Sequence, residues 1–132
     1  MDAATRQLVR QRADHRCEYC HLPQAAALML TFHIEHIHAQ QHVLNDSPEN
    51  LALACPDCNY RKGPNLTTLD SRTREIVVLF HPRHDKWNDH FEYRGAILIG
   101  LSPVGEATIR LLQMNTVEQV EMRAELLASG DL

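Results

Sequence analysis

Four cysteines, one Glu-His pair and two asparagines carry the chemistry this sequence offers. Cys17-Glu18-Tyr19-Cys20 and Cys55-Pro56-Asp57-Cys58 hold every cysteine of the chain. Each pair has the spacing of a turn that aims two thiolates at one ion, and four sulfurs at about 2.3 Å make a tetrahedral zinc site. Cys17, Cys20, Cys55 and Cys58 are therefore expected to form one structural zinc knot. The alternative is four buried or redox-active thiols, but neither pair opens the βαβ pattern of a thioredoxin-like motif. Between Cys20 and Cys55 lie 34 residues, more than a simple zinc ribbon uses, so something is looped out between the knuckles. The looped-out stretch holds Glu35-His36 and Asn50, and Asn59 directly follows the last cysteine. A carboxylate beside an imidazole can hold a divalent cation and move a proton near neutral pH. Alone, such a pair is more often a solvated one; its place between matched CxxC pairs marks it as a second, catalytic metal centre interleaved with the first.

The elements that must position these groups are short. Asp2 is a plausible N-cap for a helix to about Arg12, with Ala4, Leu8 and Val9 as a thin apolar stripe and the arginines mostly off it on a solvated face, phosphate contact being the alternative. Leu28 to Ile37 has the apolar, β-branched character of a strand. On it Phe32, Ile34 and His36 face one way and His33, Glu35 and Ile37 the other, so a twist or bulge near Glu35 is needed to bring Glu35 and His36 to one substrate. Asn45-Asp46-Ser47-Pro48 is a turn cluster, and residues 49–54 return toward the second knuckle. Pro56 and Gly63-Pro64 bound a short helix over Pro56–Lys62 that carries Asn59. A helix so short does not hold itself, and zinc at its start would fix Asn59 relative to the strand carrying Glu35. Beyond it, residues 70–75 read as a polar turn, Ile76–Phe80 as a buried strand, and 91–93 with 96–99 as a hairpin around Arg94-Gly95. Two helices close the chain, one opened by Ser102-Pro103 and ending near Asn115, the other capped by Thr116 with Gln119 and ending at Ser129-Gly130.

Taken together, Cys17-x-x-Cys20, Glu35-His36-Ile37, Asn50-Leu51, Cys55-x-x-Cys58-Asn59 and Lys62-Gly63 resemble the HNH endonuclease family, in its four-cysteine zinc subgroup and an H-N-N variant. The resemblance covers roughly residues 6–66. A later pattern, with Leu79-Phe80-His81-Pro82-Arg83, Trp87, His90-Phe91, Gly100-Leu101-Ser102-Pro103 and Ala107-Thr108-Ile109, looks like one bacterial subgroup and assigns no chemistry. The fold this implies is α+β: a ββα-metal finger with a four-cysteine zinc knot, an N-terminal helix and an α+β C-terminal extension ending in two helices. Residues 1–132 would form a single nuclease domain, 1–66 the zinc-stabilised core and 67–132 the extension. By the same resemblance His36 is the general base and Glu35 the carboxylate, usually Asp, that binds the catalytic metal. Asn50 is the middle asparagine, which braces the hairpin loop and helps orient the base. Asn59 takes the last position, where many members have a histidine ligand. The implied reaction is DNA phosphodiester hydrolysis leaving 5′-phosphate and 3′-hydroxyl ends.

The residue types support that chemistry. An imidazole titrating near neutrality can take the proton of the attacking water, typically worth about 10²–10⁴ in rate, and a divalent ion stabilises the developing charge. Oxygen ligands from Glu35 and Asn59 favour Mg²⁺ or Mn²⁺ over softer ions, with His33, on the Glu35 side of the strand, as a possible extra ligand. His33, His38 and His42 otherwise read as surface or hairpin residues. Lys62 and Arg61 at the helix end are candidate phosphate contacts, with a solvated face as the alternative. His81, His84 and His90 around Trp87 read as polar trim on a core anchor, with a second site as the alternative.

Composition neither requires nor forbids this. The 132 residues suit one domain, with 44% hydrophobic and 23% charged residues. The net charge of −4 speaks against a nucleic-acid partner until it is divided along the chain. Residues 1–16 and 60–94 each carry an excess of two positive charges, while 17–59 hold five acids and no Lys or Arg. Bound cations would offset that acidic run, and residues 95–132, with an excess of three acids, would face away from a phosphate backbone. There is no apolar run of membrane-span length and no signal-peptide core, so a cytoplasmic protein without membrane association is expected. The expected function is a metal-dependent endonuclease acting on DNA, with RNA the other candidate substrate. It would carry structural Zn²⁺ and catalytic Mg²⁺ or Mn²⁺. The rival expectation is a catalytically inactive, zinc-stabilised nucleic-acid-binding module.

Overall fold

Asp2 opens the fold: in the computed structural model, which describes residues 1–132, its carboxylate accepts from the Thr5 amide at 2.8 Å and caps helix α1 (Ala3–Arg12). The chain divides into two compact units, Met1–Pro64 and Asn65–Leu132. No helix is long and apolar enough to cross a membrane.

In the first unit α1 buries Val9 completely, whereas Leu8 is 46% exposed, so the expected apolar stripe narrows to Val9. One of the arginines expected on the solvated face works inward, Arg12 donating to the Leu51 carbonyl at 2.9 Å. Strands β1 (His33–His36) and β2 (Leu51–Ala54) form an antiparallel pair in unbroken register, from His33 opposite Ala54 to His36 opposite Leu51. The strand expected from Leu28 is therefore four residues long, and the expected bulge at Glu35 is absent. The partner sets that limit. Beyond Ala54 the chain turns into Cys55 and helix α2 (Pro56–Lys62), which leaves Leu28–Phe32 nothing to pair with. Gln24 organises that stretch as a loop instead, donating to the Leu30 carbonyl at 2.7 Å and accepting from the Phe32 amide at 3.1 Å, with Leu28 and Met29 exposed.

Helix α2 has its expected bounds. Proline stands in its first turn, and Gly63 ends it at φ 52°, in the left-handed region where a residue without Cβ is not strained. The first knuckle is stitched to β2 by Glu18, whose amide donates to the Leu53 carbonyl and whose carboxylate accepts from the Leu53 amide, each at 2.8 Å. Both knuckles thus meet at one end of the hairpin.

The second unit begins with a two-stranded hairpin, β3 (Thr67–Leu69) and β4 (Ile76–Val78), its turn held by the Asp70 carboxylate accepting from the Arg72 and Thr73 amides. Ile76–Phe80 was expected to be a buried strand; only Leu79 and Phe80 are buried, and Ile76 is 75% exposed. A sheet of two strands leaves one row, here Leu69, Ile76 and Val78, without a covering layer. A short helix α3 (Trp87–His90) leads into the hairpin β5 (Phe91–Arg94) and β6 (Ile97–Gly100), then α4 (Pro103–Leu112) and α5 (Val117–Ser129). Helix α4 lies on β6, and a Cβ at Gly105 would sit 2.0 Å from the His90 carbonyl oxygen, so only glycine permits the approach. Trp87 packs at a tilt against Phe91 and Tyr93, with ring centres 5.2 and 5.8 Å away, as an aromatic anchor. Arg123 of α5 is fully buried and donates to the Ala96 carbonyl, the Met114 carbonyl and Asn115 Oδ1 at 2.7–2.9 Å, tying the β5–β6 turn to the α4–α5 connection.

Candidate metal and hydrolytic centre

All four cysteines are buried, and their ligand atoms lie within 4.8 Å of one another. Cys20 Sγ and Cys55 Sγ are 3.8 Å apart, the edge of a sulfur tetrahedron drawn about an ion at zinc–thiolate distance. Hydrogen bonds to Cys17 and its neighbours push the Cys20 and Cys58 thiols well up, while hydrogen bonds from Cys17, Cys20 and Cys58 push the Cys55 thiol down. A divalent cation satisfies all four at once, so the donor set fits structural zinc. No other group of three or more Cys, His, Asp or Glu ligands converges in the chain. The histidines around Trp87 follow this: His81 and His84 stack at 3.9 Å, and His81 Nδ1 accepts the backbone N–H groups of Arg83 and His84. They shape a turn.

Beside the knot, strand β1 and helix α2 enclose an open hollow of about 330 Å³. Its walls include His33, Glu35, His36 and Gln40 from the strand side and Asn59 and Gly63 from the helix side. Glu35, His36 and Asn59 thus line one cavity with the β1–β2 register unbroken. His33 is exposed at its rim. Asn59 is half-buried, one residue past the last cysteine of the knot.

Glu35 is only 6% exposed. Its Oε1 accepts a hydrogen bond from the Tyr19 hydroxyl and lies 3.7 Å from Lys62 Nζ. Burial pushes the carboxyl up to about 7, with Lys62 and Tyr19 pulling in the opposite direction. Burial likewise lowers the Lys62 ammonium and raises the Tyr19 phenol well above its ordinary value. Lys62 itself is 1% exposed and donates to the Ile37 carbonyl at 2.9 Å. This corrects its assignment as a phosphate contact: the short helix turns Lys62 inward beneath β1, where the buried Glu35 carboxylate and the Ile37 carbonyl just past the strand compete successfully with water. Arg61, the other assigned contact, is half-buried in the last turn of α2 and is not part of the hollow's wall.

Asn50 is 5% exposed, and its side chain is engaged with backbone rather than with His36. It accepts from the His38 amide at 2.9 Å and donates to the carbonyls of His38 at 3.1 Å and Asn45 at 2.9 Å. It clamps the loop that joins β1 to β2. His38 takes part through its backbone, and His42 Nε2 lies 3.2 Å from the Pro64 carbonyl oxygen. His36 is 18% exposed in its side chain, and its Nε2 lies 2.6 Å from Asp46 Oδ1. Sequence reasoning passed over two members of this arrangement. Tyr19 lies between the cysteines of the first knuckle, where that reasoning gives it no role, and Asp46 stands only in a turn cluster; the one available signal for Asp46 was a carboxylate inside that cluster of turn formers.

Residues 17–65 match the family model described as HNH endonuclease. No curated protein and no solved structure matches the chain.

Proposed function

From a segment, residues 17–65, that belongs to the HNH endonuclease family, we propose a metal-dependent nuclease that hydrolyses DNA phosphodiester bonds. The observation that carries this reading is the shared hollow: Glu35 and His36 of β1 and Asn59 of α2 all line one space beside the cysteine knot. His36 acts as general base on the attacking water. Glu35 and Asn59 would hold a Mg²⁺ or Mn²⁺ ion through oxygen, with His33 at the rim as a further ligand. Such an ion, when bound, supplies electrostatic stabilisation of the phosphate and the leaving oxygen. The setting of Glu35 suits this role. Its Oε1 is met by two buried side chains, Tyr19 and Lys62, which fix the carboxylate in place, while the residue lines the hollow. Asn50 keeps the hairpin loop closed around the base, and the zinc knot holds α2, hence Asn59, against β1.

The test is nicking of supercoiled plasmid with Mg²⁺ and Mn²⁺, with single-stranded RNA run beside it. Wild-type protein should cleave, and His36→Ala should lose about 10²–10⁴-fold in rate. One observation favours a second reading. Glu35 is buried against a lysine, as in a purely structural ion pair, and a zinc-stabilised nucleic-acid-binding module would keep that pair without turnover. Equal residual cleavage by wild type and His36→Ala, with DNA still retained at low salt, would establish the binding module.

A further inference from the structure

We propose that Asp46 is a positioning residue for His36, setting which imidazole nitrogen faces the attacking water. This rests on the reading of His36 as general base. Asp46 Oδ1 lies 2.6 Å from His36 Nε2. The Asp46 carboxyl is held below its ordinary value, first by its hydrogen bond to His36, so it stands as an acceptor-only carboxylate. An acceptor at that distance requires a hydrogen on Nε2. In the neutral ring the lone pair then sits on Nδ1, and Nδ1 is the basic atom.

The loop holds the carboxylate in place although its side chain is 54% exposed. Asn45 Oδ1 accepts from the Ser47 amide at 2.9 Å, closing a turn around Asp46. The Asn45 carbonyl in turn accepts from Asn50 Nδ2 at 2.9 Å, and the same amide side chain grips both backbone groups of His38, two residues beyond His36. Asn50 therefore fixes the backbone on both sides of the His36–Asp46 pair by way of main-chain groups. The other Asp46 oxygen, Oδ2, is 3.9 Å from the Met1 amino group, a distance that leaves Oδ1 to the imidazole.

The experiment compares wild type, Asp46→Ala, Asp46→Asn and His36→Ala in the zinc-loaded protein. Two readouts are needed: kcat and KM for plasmid nicking with Mn²⁺, and the His36 tautomer from long-range ¹H–¹⁵N NMR correlations without added Mn²⁺. Wild type should show the Nε2–H form. Asp46→Ala should mix the tautomers and lower kcat about tenfold or more with KM within twofold. Asp46→Asn should do no better, since its amide can donate to Nε2 and select the Nδ1–H ring. An Nδ1–H tautomer in wild type, or wild-type kcat in both Asp46 variants, would overturn the proposal. If wild-type cleavage equals that of His36→Ala, the general-base reading falls, and the tautomer measurement decides the pairing by itself.

Discussion

Lys62 Nζ lies 3.7 Å from Glu35 Oε1 and 2.9 Å from the Ile37 carbonyl oxygen, with both side chains out of solvent. A seven-residue helix is thereby fastened to a four-residue strand by one ammonium. Neither element is long enough to persist alone, so their mutual position depends on this contact and on the cysteine knot.

Removing the lysine alone should therefore be severe. Lys62→Met leaves the buried Glu35 carboxylate without its cation, with only the Tyr19 hydroxyl beside it, and the Ile37 carbonyl without the lysine donor, and should destabilise the chain by about 3 kcal/mol in urea unfolding. Glu35→Gln in the same background should recover part of the loss, with a coupling of at least about 1 kcal/mol. Additive effects would mean that the two side chains do not sense one another.

The pH dependence has a definite sign. The Glu35 carboxyl titrates near 7 in the fold against 4.5 in its absence, because burial penalises the charged form. The native state then binds this proton more tightly than the unfolded chain does. That contribution is fully present below 4.5 and is lost as pH rises through 7. Between about pH 8 and pH 6, in zinc-loaded protein without added Mg²⁺ or Mn²⁺, wild type should gain about 1 kcal/mol relative to Glu35→Gln. Mn²⁺ affinity should move the opposite way and weaken below about pH 7, since the ion requires the carboxylate. A pH-independent difference between the two proteins would show that the carboxyl is not buried in this way.

The cysteine knot predicts a stoichiometry. Purified protein should carry one zinc per chain, released by acid or by thiol modification and measured by colorimetric chelation. Cys58→Ser should lose it, and with it the ordered β1–β2–α2 arrangement, as seen in loss of amide protection over residues 33–62. A Cys58→Ser protein with full zinc content would contradict a shared four-sulfur site.

Asn59 sets the character of the proposed hydrolytic metal. Its amide oxygen is a hard ligand, whereas an imidazole there would suit softer ions. Asn59→His should widen metal use from Mg²⁺ and Mn²⁺ to Ni²⁺ in the nicking assay. An unchanged metal profile would remove Asn59 from the ligand set.

In the second unit, Arg123 is the vulnerable residue. Its guanidinium satisfies two carbonyls and the Asn115 amide from three directions, and its charge also lies 5.8 Å from the centre of the Tyr93 ring. Arg123→Lys cannot reproduce the planar fork and should cost about 2–3 kcal/mol in the unfolding of this unit. A cost below about 0.5 kcal/mol, on the scale of an exposed substitution, would argue against the buried arrangement.

Local chemistry made some of this legible in advance. Two CxxC turns are suited to meeting as one four-sulfur set, as they do here, and Asp2, Pro56, Gly63, Ser102, Thr116 and Gly130 mark helix ends because each acts on the backbone within a few residues of itself. The length of β1 was not legible, since a strand extends only as far as its partner, and the partner ends where Cys55 begins α2. The exposure of Ile76 and Val78 escaped for the same reason: apolar composition says that a strand can be buried, not that a second layer exists to bury it.

At the site the division is sharper. Residue types and spacing by themselves determined the four-sulfur set, because ligand chemistry is a property of the side chains themselves, and they raised the expectation of a carboxylate, an imidazole and an amide beside it. Tertiary structure alone decided that Lys62 faces inward, that Tyr19 and Lys62 both reach Glu35 Oε1, and that Asp46 meets His36 across the loop. Those are outcomes of competition among water, backbone and side chain for the same polar atoms, and that competition is settled only when the chain closes and the water has left.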